Sequence, residues 1–275
     1  MNFFESLPKK RIASAALFLN AQKEYLMPVP IVVVVVIVVF AGAIMRATFG
    51  FGEAVVSMPL LALLPVSLHT SISLIGLVGL TVAAMTITSG WRHIDRSTLI
   101  WLTIATLPGI PVGLLLVTLA PAAVVTKALG VFLIVYSIYS LVRDAITQKP
   151  APHWLNSRGW ILPFGFAAGM LGSAYNVTGV PVVVYATLRR WNQSRFHSTL
   201  QAHFLVAGTF VVLGQALSGL WTANLLMLYG LSLPAIIIAT LLGMFLHRRI
   251  PTESFKRYVF FIIMALGFLL LVNPA

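Results

Sequence analysis

Glu53 is a carboxylate in hydrocarbon company. Asp95, Asp144 and Glu253 fall between apolar runs and Glu5 and Glu24 near the start of the chain, whereas Glu53 lies within GFGEAVVSMP, residues 50–59. An acidic side chain at membrane depth costs about 2.5–3.5 kcal/mol even on the mild insertion scale, so it must be neutral or paired. A carboxylate under that pressure is suited to taking up a proton and carrying it with a transported anion. The structural alternative is a Glu53 paired with Arg46 or hydrogen-bonded to unwound backbone amides.

A second stretch has the same plan. GSAYNVTGVP, residues 172–181, also opens on glycine, closes on proline and sets polar groups in apolar sequence. Glycine frees the backbone and proline lacks an N–H, so each stretch is expected to interrupt a helix. A helix interrupted at membrane depth exposes amide donors that suit an anion, and such interruptions mark binding sites in transporters. The candidate ligands for a small anionic substrate are Gly50, Gly52, Glu53 and Ser57 in the first stretch. In the second they are Ser173, Tyr175, Asn176, Thr178 and Gly179. Aligned on their opening glycines, Tyr175 shares the column of Glu53, and Asn176 that of Ala54. The same groups could instead cap the helix ends, and Ser and Thr often bond to their own backbone.

His69 and His197 form another matched pair, followed by Thr70 and Ser71 in one case and by Ser198 and Thr199 in the other. His69, Thr70, His197 and Thr199 are therefore candidate ligand contacts, with helix capping as the alternative. His197 and His203 are spaced to lie on different faces of a helix, so no metal pair is expected. Nor is any cofactor. The chain has no cysteine, which removes disulfides, thiolate catalysis and the usual zinc frameworks.

The elements that must hold these groups are membrane helices. Hydrophobic residues make up 59% of the chain and charged residues 9%, with a mean hydropathy of +0.98, far from a soluble domain with about 25% charged residues. Apolar runs occupy residues 30–45, 69–89, 99–119, 124–142, 160–171, 200–220, 225–246 and 255–272. Most approach the roughly 20 residues needed to cross about 30 Å of hydrocarbon. The expected fold is an all-α polytopic integral membrane protein embedded in a lipid bilayer. The net charge of +12 comes from basic residues scattered through short loops, the pattern of membrane topology and not of a nucleic-acid surface.

The chain also reads as a duplication. LHTSI (68–72) matches FHSTL (196–200), Leu107 with Pro108 matches Leu233 with Pro234, and Gly113 matches Gly243. The expected organisation is a basic tail over 1–27, a repeat over 28–142, a linker over 143–158 and a second repeat over 159–275. Each repeat would hold an interrupted helix element and three long helices. The tail is read as a surface-lying amphipathic segment, with a signal peptide as the weaker alternative. Basic loops sit at non-equivalent positions: WRHIDR (91–96) has an uncharged counterpart in WTAN (221–224), while RRWNQSR and HRRIP have uncharged counterparts in the first half. If basic loops face the cytoplasm, the repeats are inverted.

The stretches GFGEAVVSMPLLALL (50–64), GSAYNVTGVPVVVYATLRRW (172–191) and RFHSTLQAHF (195–204) resemble the TauE/SafE sulfite-exporter family of bacterial membrane permeases. The resemblance covers nearly the whole chain from about residue 30. It implies a four-plus-four helix duplication in the inner membrane and transport of sulfite, sulfonates or related organic anions. Consecutive glycines are frequent in the family's first motif, where this chain has Glu53 and Ala54. A secondary carrier is the expected function, with an anion channel as the alternative. An intramembrane enzyme fits less well, because HExxH, paired intramembrane aspartates and a GxSG turn are all missing from the sequence.

Overall fold

The computed structural model describes residues 27–87, 94–147, 157–247 and 252–272. The tail before residue 27, most of the linker, and the basic residues of 88–93 and 248–251 lie outside them. The expectations for the tail, and much of the charge pattern used for orientation, therefore fall on residues not described.

Among the described residues the regular structure is helical. The order is α1 (Val29–Phe49), α2 (Glu53–Ala62), α3 (Leu68–Thr86), α4 (Arg96–Thr106), α5 (Gly109–Leu119), α6 (Ala122–Thr147), α7 (Ile161–Tyr175), α8 (Gly179–Leu188), α9 (Gln193–Leu217), α10 (Ala223–His247) and α11 (Thr252–Val272). Among the described residues six segments are long and apolar enough to cross a membrane: α1, α3, α4 with α5, the 122–142 part of α6, the 195–217 part of α9, and α10. Helix α1 contains the run IVVVVVIVV, a composition that favours strands in water. In hydrocarbon a lone strand leaves its backbone groups unbonded, so helix wins.

Outward faces carry Ile37, Leu115, Val135, Leu241, Phe245 and Phe268, whereas Arg46, Glu53, Gln201, His203 and Gln215 are buried within the bundle. Such an apolar exterior suits contact with lipid.

Packing runs between the two halves. Helix α1 lies on α10, α7 lies on α4 and α5, α6 on α11, and α3 on α9. Thus the first helix of each half packs on the penultimate membrane segment of the other, α10 for α1 and α4 with α5 for α7. Two glycines that match in the sequence make these approaches possible. A Cβ added to Gly243 would lie 2.5 Å from Ala47 Cβ and 3.0 Å from the Ile44 carbonyl, and one on Gly113 would fall on the Met170 carbonyl and Ser173 Oγ.

Proline acts differently from expectation. Pro59 lies inside α2, Pro181 inside the first turn of α8, and Pro234 inside an uninterrupted α10. By contrast, the α4–α5 helix pair turns at Leu107 and Pro108, where Pro108, Gly109 and Pro111 remove two N–H donors and a side chain within four residues. One missing donor bends a helix; this cluster ends it.

Candidate functional site

Helix α1 stops at Phe49 because Gly50 adopts φ 85°, in the left-handed region, and its N–H returns to the Arg46 carbonyl. Gly52 follows with φ 100° and starts α2. Two such residues in three turn the chain sharply, and only glycine takes both without strain. Helix α7 stops at Tyr175, after which Asn176 at φ 56° does the work of Gly50 and its N–H returns to the Gly172 carbonyl. Asparagine is the side chain most tolerant of this conformation after glycine.

The interruptions therefore pair by helix ends, Gly50 with Asn176 and Glu53 with Gly179. This is about one helical turn out of step with the alignment on opening glycines, which set Glu53 against Tyr175. Gly172 stays inside α7. A template keyed to glycine cannot see that asparagine has taken over the left-handed position.

Both interruptions open onto one small cavity, lined by Arg46, Gly52, Glu53, Asn176 and Gly179 with Phe51, Ala54, Val55, Val177, Val180 and Phe204. Glu53 Oε1 accepts a hydrogen bond from Arg46 Nη1 in an ion pair whose side chains are only 6% and 4% exposed. Arg46 Nε and Glu53 Oε2 are buried without partners. Arg46 Cζ lies over the Phe204 ring, 4.3 Å from its centroid, a cation–π contact. Gly79 of α3 closes over the pair, since a Cβ there would fall on Glu53 Oε1 and lie 2.7 Å from Arg46 Nη1.

The helix starts differ in a way that matters for anions. Ser67, Asp95 and Asn192 cap α3, α4 and α9 by accepting hydrogen bonds from Thr70, Thr98 and Arg195 N–H. Helices α2 and α8, which start at the interruptions, have no side-chain cap; nor do α1, α5 and α7, but those do not begin at the cavity. At α2 the first-turn N–H groups and the positive end of the helix dipole are thus left uncapped at residues that line the cavity, whereas in α8 the Val180 N–H already donates to the Val177 carbonyl and Pro181 has none, which leaves the Gly179 N–H.

Of the residues proposed from sequence, Gly52, Glu53, Asn176 and Gly179 meet at the cavity. The others are placed around it. Gly50 lies behind the turn, its carbonyl accepting from Gln201 Nε2 at 2.9 Å. Ser57 donates to the Val38 carbonyl at 3.2 Å, Ser173 to the Ile110 carbonyl at 2.8 Å and Tyr175 to the Val125 carbonyl at 2.9 Å. Thr178 begins α8, its hydroxyl against Gly172. His69 Nε2 lies 3.3 Å from the Val117 carbonyl. Thr70 donates its N–H to Ser67 Oγ, so Ser67 and not His69 is the cap. His197 packs against His247 with ring centroids 5.0 Å apart, and Thr199 Oγ1 accepts from Asp95 N–H at 3.1 Å. No group of three metal-ligating side chains occurs among the described residues.

Sequence reasoning treated Arg46 only as a partner for Glu53 and passed over Phe51 and Phe204. Arg46 did carry a signal, as the one charged residue between positions 28 and 52. Phe204 had none, because only the packing of α9 brings it to the first interruption. Helix α9 ties down both interruptions: Gln201 holds Gly50, and Gln215 Nε2 lies 3.3 Å from both the Ser173 carbonyl and Asn176 Oδ1.

A second ion pair joins the halves. Arg195 Nη2 donates to Asp95 Oδ2. Burial pushes the Asp95 carboxyl up, but hydrogen bonds from the Thr98 N–H and hydroxyl and the Arg195 guanidinium outweigh it and hold the group below its usual range.

The described residues form a polytopic helical bundle of the kind multi-pass membrane transporters use. Residues 34–270 match the sulfite exporter TauE/SafE family, and the chain belongs to that family, which places it in the bacterial inner membrane. It is similar to the probable sulfite/organosulfonate exporter TauE of Cupriavidus necator, 26% identical over 235 residues that cover 82% of this chain and 88% of the relative. No solved structure matches the chain.

Proposed function

We propose that the protein is a secondary carrier of a small sulfur-containing or organic anion such as sulfite or an organosulfonate. The site is the cavity between the two interrupted helices, near the bilayer midplane. The observation that carries this reading is the convergence of both interruptions on Arg46, beside two uncapped helix starts. Arg46 supplies the counter-charge, the first-turn N–H groups of α2 and the Gly179 N–H of α8 supply donors, and Gly52, Gly179 and Asn176 shape the approach. The likeness to a probable sulfite/organosulfonate exporter supports the ligand class.

Two related repeats, inverted in the membrane, supply the frame. Reciprocal packing of α1 on α10 and α7 on α4 and α5 supports the duplication, as do the matched close approaches at Gly113 and Gly243. With the cell interior negative, a singly charged anion moving outward alone gains about 2.3 kcal/mol per 100 mV and uptake needs a proton; an anion that moves together with a proton carries no net charge and is driven by the two concentration gradients alone. Glu53 is the group placed to carry the proton.

Proteoliposomes loaded with sulfite or a sulfonate test the reading. External substrate should accelerate efflux of internal substrate, as in a carrier, and Glu53→Gln should abolish proton movement coupled to flux. Efflux indifferent to external substrate would point to a channel, and intact proton coupling in Glu53→Gln would remove Glu53 from that role.

A further inference from the structure

We infer, resting on the site proposed above, that Glu53 is the empty carrier's own stand-in for its substrate. The transported anion binds by displacing the Glu53 carboxylate from Arg46 as Glu53 takes up one proton. Proton and anion would then be linked by competition for one guanidinium, with no separate coupling site.

The geometry of the pair is the first support. A guanidinium and a carboxylate usually pair through two parallel hydrogen bonds, yet here one bond is made, and both Arg46 Nε and Glu53 Oε2 are buried without partners. The carboxylate therefore holds the guanidinium incompletely, and an incoming oxyanion can use donor capacity that Glu53 leaves idle.

Charge is the second support. Among the described lining residues, Arg46 and Glu53 bear the only full charges, and they cancel. An anion added to an intact pair leaves the cavity with a net negative charge, which is costly in a buried site. If a bulk proton forms an O–H bond on Glu53, the Arg46–Glu53 ion pair breaks and the oxyanion pairs with Arg46, so the sum remains zero. Loss of the anion and the proton restores the starting pair.

Among the described lining residues no titratable side chain other than Arg46 and Glu53 faces the cavity; the nearby titratable groups, His197 of α9 and His247 of α10, pack on each other behind Gly50 and outside the lining. Helix α3 presents Gly79, α9 presents Phe204, and α8 presents Gly179 and Val180. The Asn176 amide donates to the Ile72 carbonyl and its oxygen accepts from Gln215.

Isothermal calorimetry on the purified full-length protein with ethanesulfonate tests the inference, because a sulfonate stays singly charged and any pH slope belongs to the protein. Wild-type affinity should weaken by about tenfold per pH unit on the alkaline side. Glu53→Gln should bind at alkaline pH as tightly as the wild type does at acid pH, with no slope. Flat wild-type affinity, or weaker binding in Glu53→Gln at every pH, overturns the exchange. The site itself is tested separately by Arg46→Gln/Glu53→Gln, a neutral pair of similar shape. Binding unchanged in that double variant, or no binding of ethanesulfonate or sulfite to the wild type at any pH, overturns the site along with the exchange. Binding that depends on Arg46 but not on pH overturns only the exchange.

Discussion

The two interruptions use the same backbone device for different ends. At the first, Gly50 and Gly52 turn the chain with no side chains of their own, and the polar atoms nearby, Arg46 Nε and Glu53 Oε2, are left without partners. At the second, Asn176 makes the turn and its amide is consumed, donating to the Ile72 carbonyl and accepting from Gln215; Ser173 and Tyr175 are likewise bonded to backbone carbonyls. Satisfied buried polar groups stiffen a structure, while unsatisfied ones are costly and need a reason. The first interruption therefore reads as the working side of the cavity and the second as its wall.

Arg46→Gln is the strongest way to break this comparison. It strands Glu53 in a buried site and should cost about 3–5 kcal/mol of stability, with transport lost; thermal unfolding and proteoliposome flux measure the two. Adding Glu53→Gln should restore much of the stability and none of the transport. Recovery of transport would mean that the charge at the first interruption is structural.

Asn176→Gly should come next. The left-handed turn survives, but the Ile72 carbonyl and the Gln215 amide lose a partner, at about 1–3 kcal/mol. Substrate affinity should stay within a few-fold; a larger loss would make the second interruption a ligand site too. At the first interruption, Gly50→Ala sets a Cβ in the left-handed region, 3.2 Å from His197 Cδ2, for about 1–2 kcal/mol of backbone strain. Circular-dichroism melts of these two variants compare the interruptions directly.

The smallest effect sharpens the contrast between a buried and a wet ion pair. Asp95 and Arg195 have side chains 24% and 40% exposed, so the pair is worth no more than about 1 kcal/mol. Because the folded Asp95 carboxyl sits below its usual range, its contribution is present above the ordinary carboxylate range and fades as pH falls through the folded value. Asp95→Asn should lower stability slightly at neutral pH and flatten that acid limb in a melting series. An unchanged acid limb would assign the pH dependence elsewhere.

Much of the frame was legible in the chain. Apolar runs located the helices because a lipid-embedded backbone has to satisfy itself, which overrides the strand preference of a valine run. Glu53 declared itself by being an acid in such a run. The proline-marked limits of the interruptions were misleading, since Pro59 and Pro181 are absorbed into helices and the left-handed residues set the breaks.

Sequence by itself determined the polytopic helical class, the family, and Glu53 as the exceptional residue, because hydropathy and an isolated charge are local properties. Tertiary structure decided the rest. It brought Phe204 over Arg46, set Gly79 against the ion pair, joined both interruptions in one cavity, and used up the Asn176 amide while leaving Arg46 with a free donor. Whether a polar atom is spent or available depends on neighbours distant in the chain, and no local pattern records that.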